Sequence, residues 1–174
     1  MNAQELRDKQ QPLKKQYREN PGSALYVLHA EGRLHQERIA VRMSTAPDGR
    51  EVGLHPATGG DGSFACSGDM VLEALAACAG VTLLAVATAM DIRIKDGRVR
   101  AEGDLDFRGT LGVARDVPVG FKAIRLHFDL ETDADDRQVT TLIRLTERYC
   151  VVHQTLNVSP RLALSYHRQA VDAV

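Results

Sequence analysis

The sequence carries three cysteines, and the chemistry open to each depends on its surroundings. Cys78 lies near the middle of an almost wholly apolar, Ala-rich stretch from Leu72 to Met90. A free cysteine in such a setting is either a small apolar side chain packed in a core or a thiol kept for reaction, and only the thiolate form is a nucleophile. The residues around Cys78 leave both interpretations open.

The other two cysteines lie in different settings. Cys66 lies in the Gly-rich segment "ATGGDGSFACSGD", which has no phosphate-binding motif, and Cys150 begins the segment "CVVHQTL". An odd count without a CxxC pair argues against a disulfide framework and favours the reducing cytoplasm. Cys150 and His153 form a Cys-x-x-His pair, but two ligands do not define a metal site, so we expect no metal and no cofactor.

The elements that must position these thiols follow from hydrophobic patterning. Strands grouped on either side of helices are typical of an α+β domain. Residues 1–22 form a charged, helix-capable extension that ends at a Pro-Gly breaker, and residues 23–174 form the domain. The pattern predicts strands at 24–29, 38–43, 51–56, 121–132 and 161–168, two strands joined by a turn at Asp96 and Gly97, a central helix over about 69–90, and helices over 133–150 and 151–157.

Composition excludes several classes of function. The chain has 174 residues, a formal net charge of −1 and no Trp, which argues against a nucleic-acid partner. The N-terminus is polar and lacks a secretory signal. The stretch from Ala74 to Met90 contains no charge, but it is mostly Ala and is interrupted by Gly80, Thr82 and Thr88, so it favours a buried central helix over a membrane span.

Two segments carry a resemblance to a known family. "GGDGSFACSGDMVLEALAACAGVTL", followed some seventy residues later by "ERYCVVHQTL", resembles the OsmC/Ohr family of osmotically inducible protein C and organic hydroperoxide resistance proteins. The resemblance covers about residues 23 to 170. It implies an OsmC-like fold, with antiparallel sheets around a central buried Ala-rich helix, and an intertwined homodimer in which the two central helices lie side by side.

The resemblance also implies an activity. Members are thiol peroxidases that reduce organic hydroperoxides in defence against oxidative stress, with a small-molecule hydroperoxide and an external thiol reductant as partners. Cys78 matches the peroxidatic cysteine and Cys150 the resolving cysteine. An Arg from the N-terminal hairpin keeps the thiolate active in the family; Arg33, Arg38 and Arg42 all lie in that hairpin, and we prefer Arg33, which is next to the predicted turn.

The sequence departs from the family pattern near both cysteines. Gly68 stands where the family has a Glu that holds the Arg, and Val151 stands where the family usually has Pro. The nearest carboxylates, Asp69 and Glu73, lie about 180° and 140° from Cys78 around a helix. A second hypothesis therefore stays open, in which the thiols are redox-silent and the fold binds a small apolar or electrophilic ligand at the dimer interface.

Overall fold

The computed structural model describes residues 1–44 and 49–169, which form helices and two small sheets. Short 3₁₀ turns cover Pro21–Ala24, Gln36–Arg38 and Pro56–Thr58. The helices are α1 (Ala3–Glu19), α2 (Ser67–Ala89), α3 (Phe107–Thr110), α4 (Asp136–Tyr149) and α5 (Val151–Asn157). The strands are β1 (Gly32–His35), β2 (Ala40–Met43), β3 (Glu51–Gly53), β4 (Ala65–Cys66), β5 (Ile94–Asp104) and β6 (Ala123–Thr132).

The two sheets are formed by different parts of the chain. The first has the order β1-β2-β3-β4, and its pairs are antiparallel except for the two-residue parallel pair β3–β4. The second is the long antiparallel hairpin β5–β6. The α+β class predicted from the sequence is confirmed, with one short parallel pair added to the expected antiparallel sheets.

Helix α2 is the central element of the fold. Leu75, Ala79, Leu83 and Ala87 recur every four residues and are its four buried residues, so they form one stripe. They pack on side chains of the hairpin and of α4, including Val99, Ala101, Leu126, Phe128 and Leu142. The predicted central helix is therefore confirmed, and it starts at Ser67 with Cys66 as its N-cap.

The opposite face of α2 is apolar and exposed in the single chain. Val81 is 70% exposed and Leu84 is 54% exposed. By length and composition alone α2 could cross a membrane. The mean hydropathy of its most apolar 18-residue stretch is 2.1, and 22% of that stretch is buried. A core helix of a soluble protein passes the same test, so this finding does not identify a membrane span.

Some predicted strands are wrong in this chain. The apolar residues after Ala24 form no strand, and the first strand lies later, at Gly32–His35, so the predicted turn at Glu31 and Gly32 is also wrong. The segment 161–168 is likewise unpaired. Both segments have strand-like sequences whose large apolar side chains are exposed: Leu25, Tyr26, Val27, Leu28, Leu162, Leu164 and Tyr166 are 74% to 92% exposed. No edge of either described sheet is paired with them.

The predicted turn at Asp96 and Gly97 is also wrong. β5 passes straight through this point and pairs with β6 along its length, with a register shift between Ile94 and Asp96. A bulge of this kind accommodates one extra residue without reversing the chain. The Asp-Gly signal therefore marks an irregularity in a strand.

Candidate active site

Cys78 lies at the centre of α2, on the side that packs against Cys150. It is half-buried and packs against the cluster of Leu75, Ala79 and Cys150. Alanine and glycine dominate the α2 sequence next to Cys78, so few bulky side chains of its own helix surround the sulfur. The thiol is accessible enough to meet a small reactant and sheltered enough to be tuned by its neighbours.

Cys150 lies at the point where α4 ends and α5 begins. It is the C-cap of α4, where its N–H donates to the Thr146 carbonyl at 2.9 Å, and it is also the N-cap of α5. Its Sγ accepts a hydrogen bond from the His153 N–H at 3.5 Å. The side chain is 1% exposed.

The structure packs the two thiols against each other, although they are far apart in the sequence. Burial by itself raises the pKa of Cys78. The backbone N–H of Val152, the thiol of Cys150 and the backbone N–H of Val151 oppose burial, and together they hold the pKa of Cys78 below its ordinary value. Both N–H groups belong to the first turn of α5, where backbone donors have no partner within the helix.

Thr82 is the weakest of the donors at the Cys78 sulfur. Its hydroxyl has a single hydrogen, and Oγ1 lies 2.7 Å from the Cys78 carbonyl oxygen, one turn back along α2. That short contact takes most of the donor capacity, so Thr82 contributes little to the state of the thiol.

The pKa of Cys150 moves in the opposite direction. Burial raises it most, and the neighbouring Cys78 raises it further by hydrogen bonding and by charge, against the lowering effects of the His153 N–H and the Val152 N–H. Because the two thiols interact, they lose their protons in two successive steps that are properties of the pair. The arrangement favours a thiolate on Cys78 and a protonated thiol on Cys150.

The three hairpin arginines lie elsewhere in the described chain. Arg33 is exposed on β1, opposite Arg42 on β2. Arg38 forms a bidentate ion pair with Glu51 at 2.9 and 3.0 Å and covers the ring of Phe64. Among the groups of residues 1–44 and 49–169 that shift the pKa of Cys78, none is an arginine. The role of Arg33 therefore stays a prediction.

Glu73 and Gly68, the two α2 residues tied to the expected Arg–Glu pair, have different surroundings. Glu73 forms an ion pair with Arg50, in which Arg50 Nη1 and Glu73 Oε2 lie 2.6 Å apart. Arg50 was not among the arginines considered from the sequence. A Cβ at Gly68 would lie 3.5 Å from the Cys66 sulfur, so a longer side chain there would point towards Cys66.

Cys66 and His153 do not join the two thiols through their side chains. Cys66 lines a separate cavity of about 340 Å³ together with His55 and Phe107, whose rings stack at 4.8 Å. The buried Nδ1 of His153 has no hydrogen-bond partner among the residues that the structure describes. In the part of the chain that the structure describes, no group of three or more His, Cys, Asp or Glu side chains could hold a metal ion.

Sequence reasoning missed the donors at the Cys78 sulfur. It looked to a hairpin arginine, with Arg33 preferred, as the group that keeps the thiolate active. The one available signal was the start of α5 directly after Cys150. The N-cap side chain of Cys150 accepts from the N–H of His153, three residues ahead, while the N–H groups of Val151 and Val152 lower the pKa of Cys78.

Comparison with known proteins places this site in a family. The model of the OsmC-like protein family matches residues 60–165, which is more than half of the chain and includes both Cys78 and Cys150. The chain belongs to the OsmC-like family. No curated protein matches its sequence.

Solved structures share the fold at low sequence identity. An OsmC-like protein from Mycoplasma pneumoniae is 19% identical over 77% of this chain and 89% of its own, with a TM-score of 0.62. An organic hydroperoxide resistance protein OsmC from Legionella pneumophila is 20% identical over 76% and 90%, with a TM-score of 0.57. An organic hydroperoxide resistance protein from Elizabethkingia anophelis is 18% identical over 76% and 89%, with a TM-score of 0.56.

Proposed function

We propose that this protein is a cysteine-based thiol peroxidase that reduces organic hydroperoxides. The observation that carries the proposal is the contact between Cys78 and Cys150 at the first turn of α5, where the donors favour a thiolate on Cys78. Peroxide reduction needs a thiolate to attack and a second thiol within reach. Two structural relatives named as organic hydroperoxide resistance proteins support the same substrate class.

The reaction proceeds in two steps on this chain. The Cys78 thiolate attacks the terminal oxygen of the hydroperoxide, the O–O bond breaks, and the alkoxide leaves and takes a proton to become an alcohol. Cys78 is then a sulfenic acid. The Cys150 sulfur attacks the Cys78 sulfur, water leaves, and a Cys78–Cys150 disulfide remains. An external thiol reductant returns both cysteines to thiols by exchange.

A stoichiometric organic hydroperoxide tests this proposal. We expect one Cys78–Cys150 disulfide per chain. Mass spectrometry should show the loss of two hydrogen atoms, and peptide mapping should locate the bond. Cys150→Ser should instead let Cys78 proceed to sulfenic and then sulfinic acid, and Cys78→Ser should abolish peroxide consumption.

Cys66→Ser is the matched control for these variants. Cys66 lies in its own cavity, so this variant should form the disulfide as wild type does. If Cys78 stays free after the peroxide has been offered, or if Cys78→Ser consumes peroxide at the wild-type rate, the peroxidase proposal fails. The binding-fold alternative, with redox-silent thiols, then takes its place.

The working form in this proposal is a homodimer built around α2. The exposed apolar face that includes Val81 and Leu84 supports a second α2 packed against it in an isologous contact. The exposed apolar residues of 25–28 and 162–166 support further pairing between chains. A strand-like segment whose backbone N–H and C=O groups are unpaired can pair with a strand of another chain. A copy of the chain can also bring Arg33 to the Cys78 of its partner.

Sedimentation and thiol titration test the assembly and the arginine. We expect a dimer at micromolar concentration, and Val81→Glu should shift it towards monomer, because burying an unpaired carboxylate at the interface is costly. Arg33→Ala should raise the pKa of Cys78, measured as the pH dependence of its alkylation. A stable wild-type monomer refutes the dimer, and an unchanged profile in Arg33→Ala refutes the role of Arg33.

A further inference from the structure

A cavity of about 440 Å³ lies between strand β6 and helices α4 and α5. Each of these elements presents one face to it. Leu126 and Phe128 lie two residues apart on β6, Ile143 and Glu147 lie four residues apart on α4, and His153 faces the cavity from α5. Regular faces of three elements therefore enclose a volume in the range of small-molecule sites, which is about 300–1,000 Å³.

This cavity is separate from both thiols and from the face of α2 that was assigned to the dimer contact. Among the described residues that line it, neither Cys78 nor Cys150 occurs, and the one residue of α2 is Leu75, which belongs to the buried stripe of that helix. Leu84 follows Leu75 by nine residues, so it lies about 180° away around the helix. A ligand in this cavity would not compete with the reaction at Cys78 or with a second α2.

Two side chains of opposite charge line the cavity, Lys122 directly before β6 and Glu147 on α4. In the part of the chain that the structure describes, neither of them forms an ion pair. The pKa values of Asp104 and Asp106 are lowered mainly by hydrogen bonds from arginines and least by Lys122, so these carboxylates already have their partners. Lys122 and Glu147 can therefore both pair with charged groups of a ligand.

His153 gives an independent sign that a polar group binds in the cavity. Its ring is half-buried and lines the cavity, and its Nδ1 is buried with no hydrogen-bond partner among the described residues. Buried polar atoms in folded proteins nearly always have a partner in the protein or in ordered water, so each exception requires an explanation. A polar ligand beside the ring would supply that partner.

The lining determines the class of ligand. Apart from Lys122, Glu147, His153 and Asn157, the side chains that line the cavity are apolar. A ligand with an apolar body fits this wall, and any charge that it brings must be paired, because burying an unpaired charge is costly. One cation and one anion in the lining match a small ligand that carries both charges. The carboxamide of Asn157 can donate to a carboxylate and accept from an ammonium group.

We propose that the cavity between β6, α4 and α5 binds an apolar α-amino acid. Its ammonium group pairs with Glu147, its carboxylate pairs with Lys122, and its side chain packs on the wall that includes Leu126, Phe128 and Ile143. The site goes beyond the peroxidase function proposed above and does not depend on it, because neither thiol takes part in the binding.

L-phenylalanine is the probe, and calorimetric titration of the full chain measures its binding without any turnover. We expect saturable binding with a Kd of about 1 mM or below. Two analogues separate the two ion pairs, since 3-phenylpropanoate lacks the ammonium group and phenethylamine lacks the carboxylate. Each should bind about tenfold more weakly than L-phenylalanine, because each loses one charged hydrogen bond. An analogue that binds as tightly as L-phenylalanine refutes the contact assigned to the group that it lacks.

Two variants at exposed side chains assign the contacts to residues. Glu147→Gln should weaken the binding of L-phenylalanine about tenfold and leave that of 3-phenylpropanoate unchanged, and Lys122→Gln should do the same with phenethylamine as the unchanged ligand. Glu131→Gln and Lys95→Gln are the matched controls, because they make the same changes at residues outside the lining, and both should bind like wild type. No saturation by about 10 mM L-phenylalanine, or an affinity that neither Glu147→Gln nor Lys122→Gln lowers, overturns the proposal.

Discussion

Cys78 and Cys150 meet at the same helix terminus, but their surroundings differ in every respect that governs reactivity. Cys78 is half-buried and accepts backbone N–H groups from Val151 and Val152. Cys150 is 1% exposed, and although the N–H groups of His153 and Val152 lower its pKa, burial and the neighbouring Cys78 outweigh them. The N–H groups of α5 therefore act on both thiols, but only at Cys78 is the net result a lowered pKa. The first turn of α5 activates a thiol that belongs to another helix.

The largest effect that this contrast predicts is a difference in alkylation rate between the two thiols. At neutral pH iodoacetamide should modify Cys78 at least about a hundredfold faster than Cys150, because Cys150 is protonated and must first be exposed by local opening. Time-resolved peptide mapping under native conditions measures both rates. Equal labelling of the two cysteines would remove the contrast.

A smaller effect should follow from removing a single donor. Val151→Pro deletes one N–H at the first helical position, where proline is tolerated, and the extended backbone of Cys150 (φ −73°, ψ 110°) suits a residue before proline. The pKa of Cys78 should rise, with about a tenfold loss of thiolate at neutral pH for each unit of the rise.

Val151→Ala is the matched control for that variant. It keeps the N–H and removes only part of a side chain that is 70% exposed, so the pH profile of Cys78 alkylation should stay at the wild-type position. If Val151→Pro and Val151→Ala give the same profile, the N–H of Val151 does not stabilise the thiolate.

The smallest effect concerns stability. The pKa of Cys78 is lower in the folded chain than in the unfolded one, so its ionised form stabilises the fold at high pH, and this contribution is lost as the pH falls through the folded value. Cys150 is present in both wild type and Cys78→Ser, so its own titration largely cancels when the two proteins are compared. The free energy of unfolding of wild type minus that of Cys78→Ser should therefore increase from pH 6 to pH 8.5, by at most about 1.4 kcal/mol per unit of pKa lowering. Urea unfolding at both pH values measures it, and a flat difference contradicts the lowered pKa.

The sequence predicted the helices near the site better than the strands around it. The spacing of Val139, Leu142, Ile143 and Leu145 identified α4, and the apolar run around Cys78 identified α2, because each pattern is complete within one segment. Strands depend on a partner. The residues 25–28 have the composition of a strand, yet nothing in their own sequence states which edge, or which copy of the chain, they pair with.

The chemistry of the site was only partly predictable for a related reason. The side chains of Cys78 and Cys150 can be read from the sequence, and their pairing came from a family resemblance. The groups that tune Cys78 are main-chain N–H groups of Val151 and Val152, and every residue except proline has one. Their effect depends on the angle at which α5 meets α2, which is set by packing and leaves no signature in the residue types.

Because Cys150 is at once the C-cap of α4 and the N-cap of α5, it is the single residue between the two helices. Inserting one residue after Cys150 would turn the start of α5 by about 100° and shift it by about 1.5 Å, which would take both donors away from Cys78. Substitutions are another matter, since the Val151 side chain points into solvent. Position 151 therefore tolerates any residue that keeps its N–H, whereas the length of the junction is fixed.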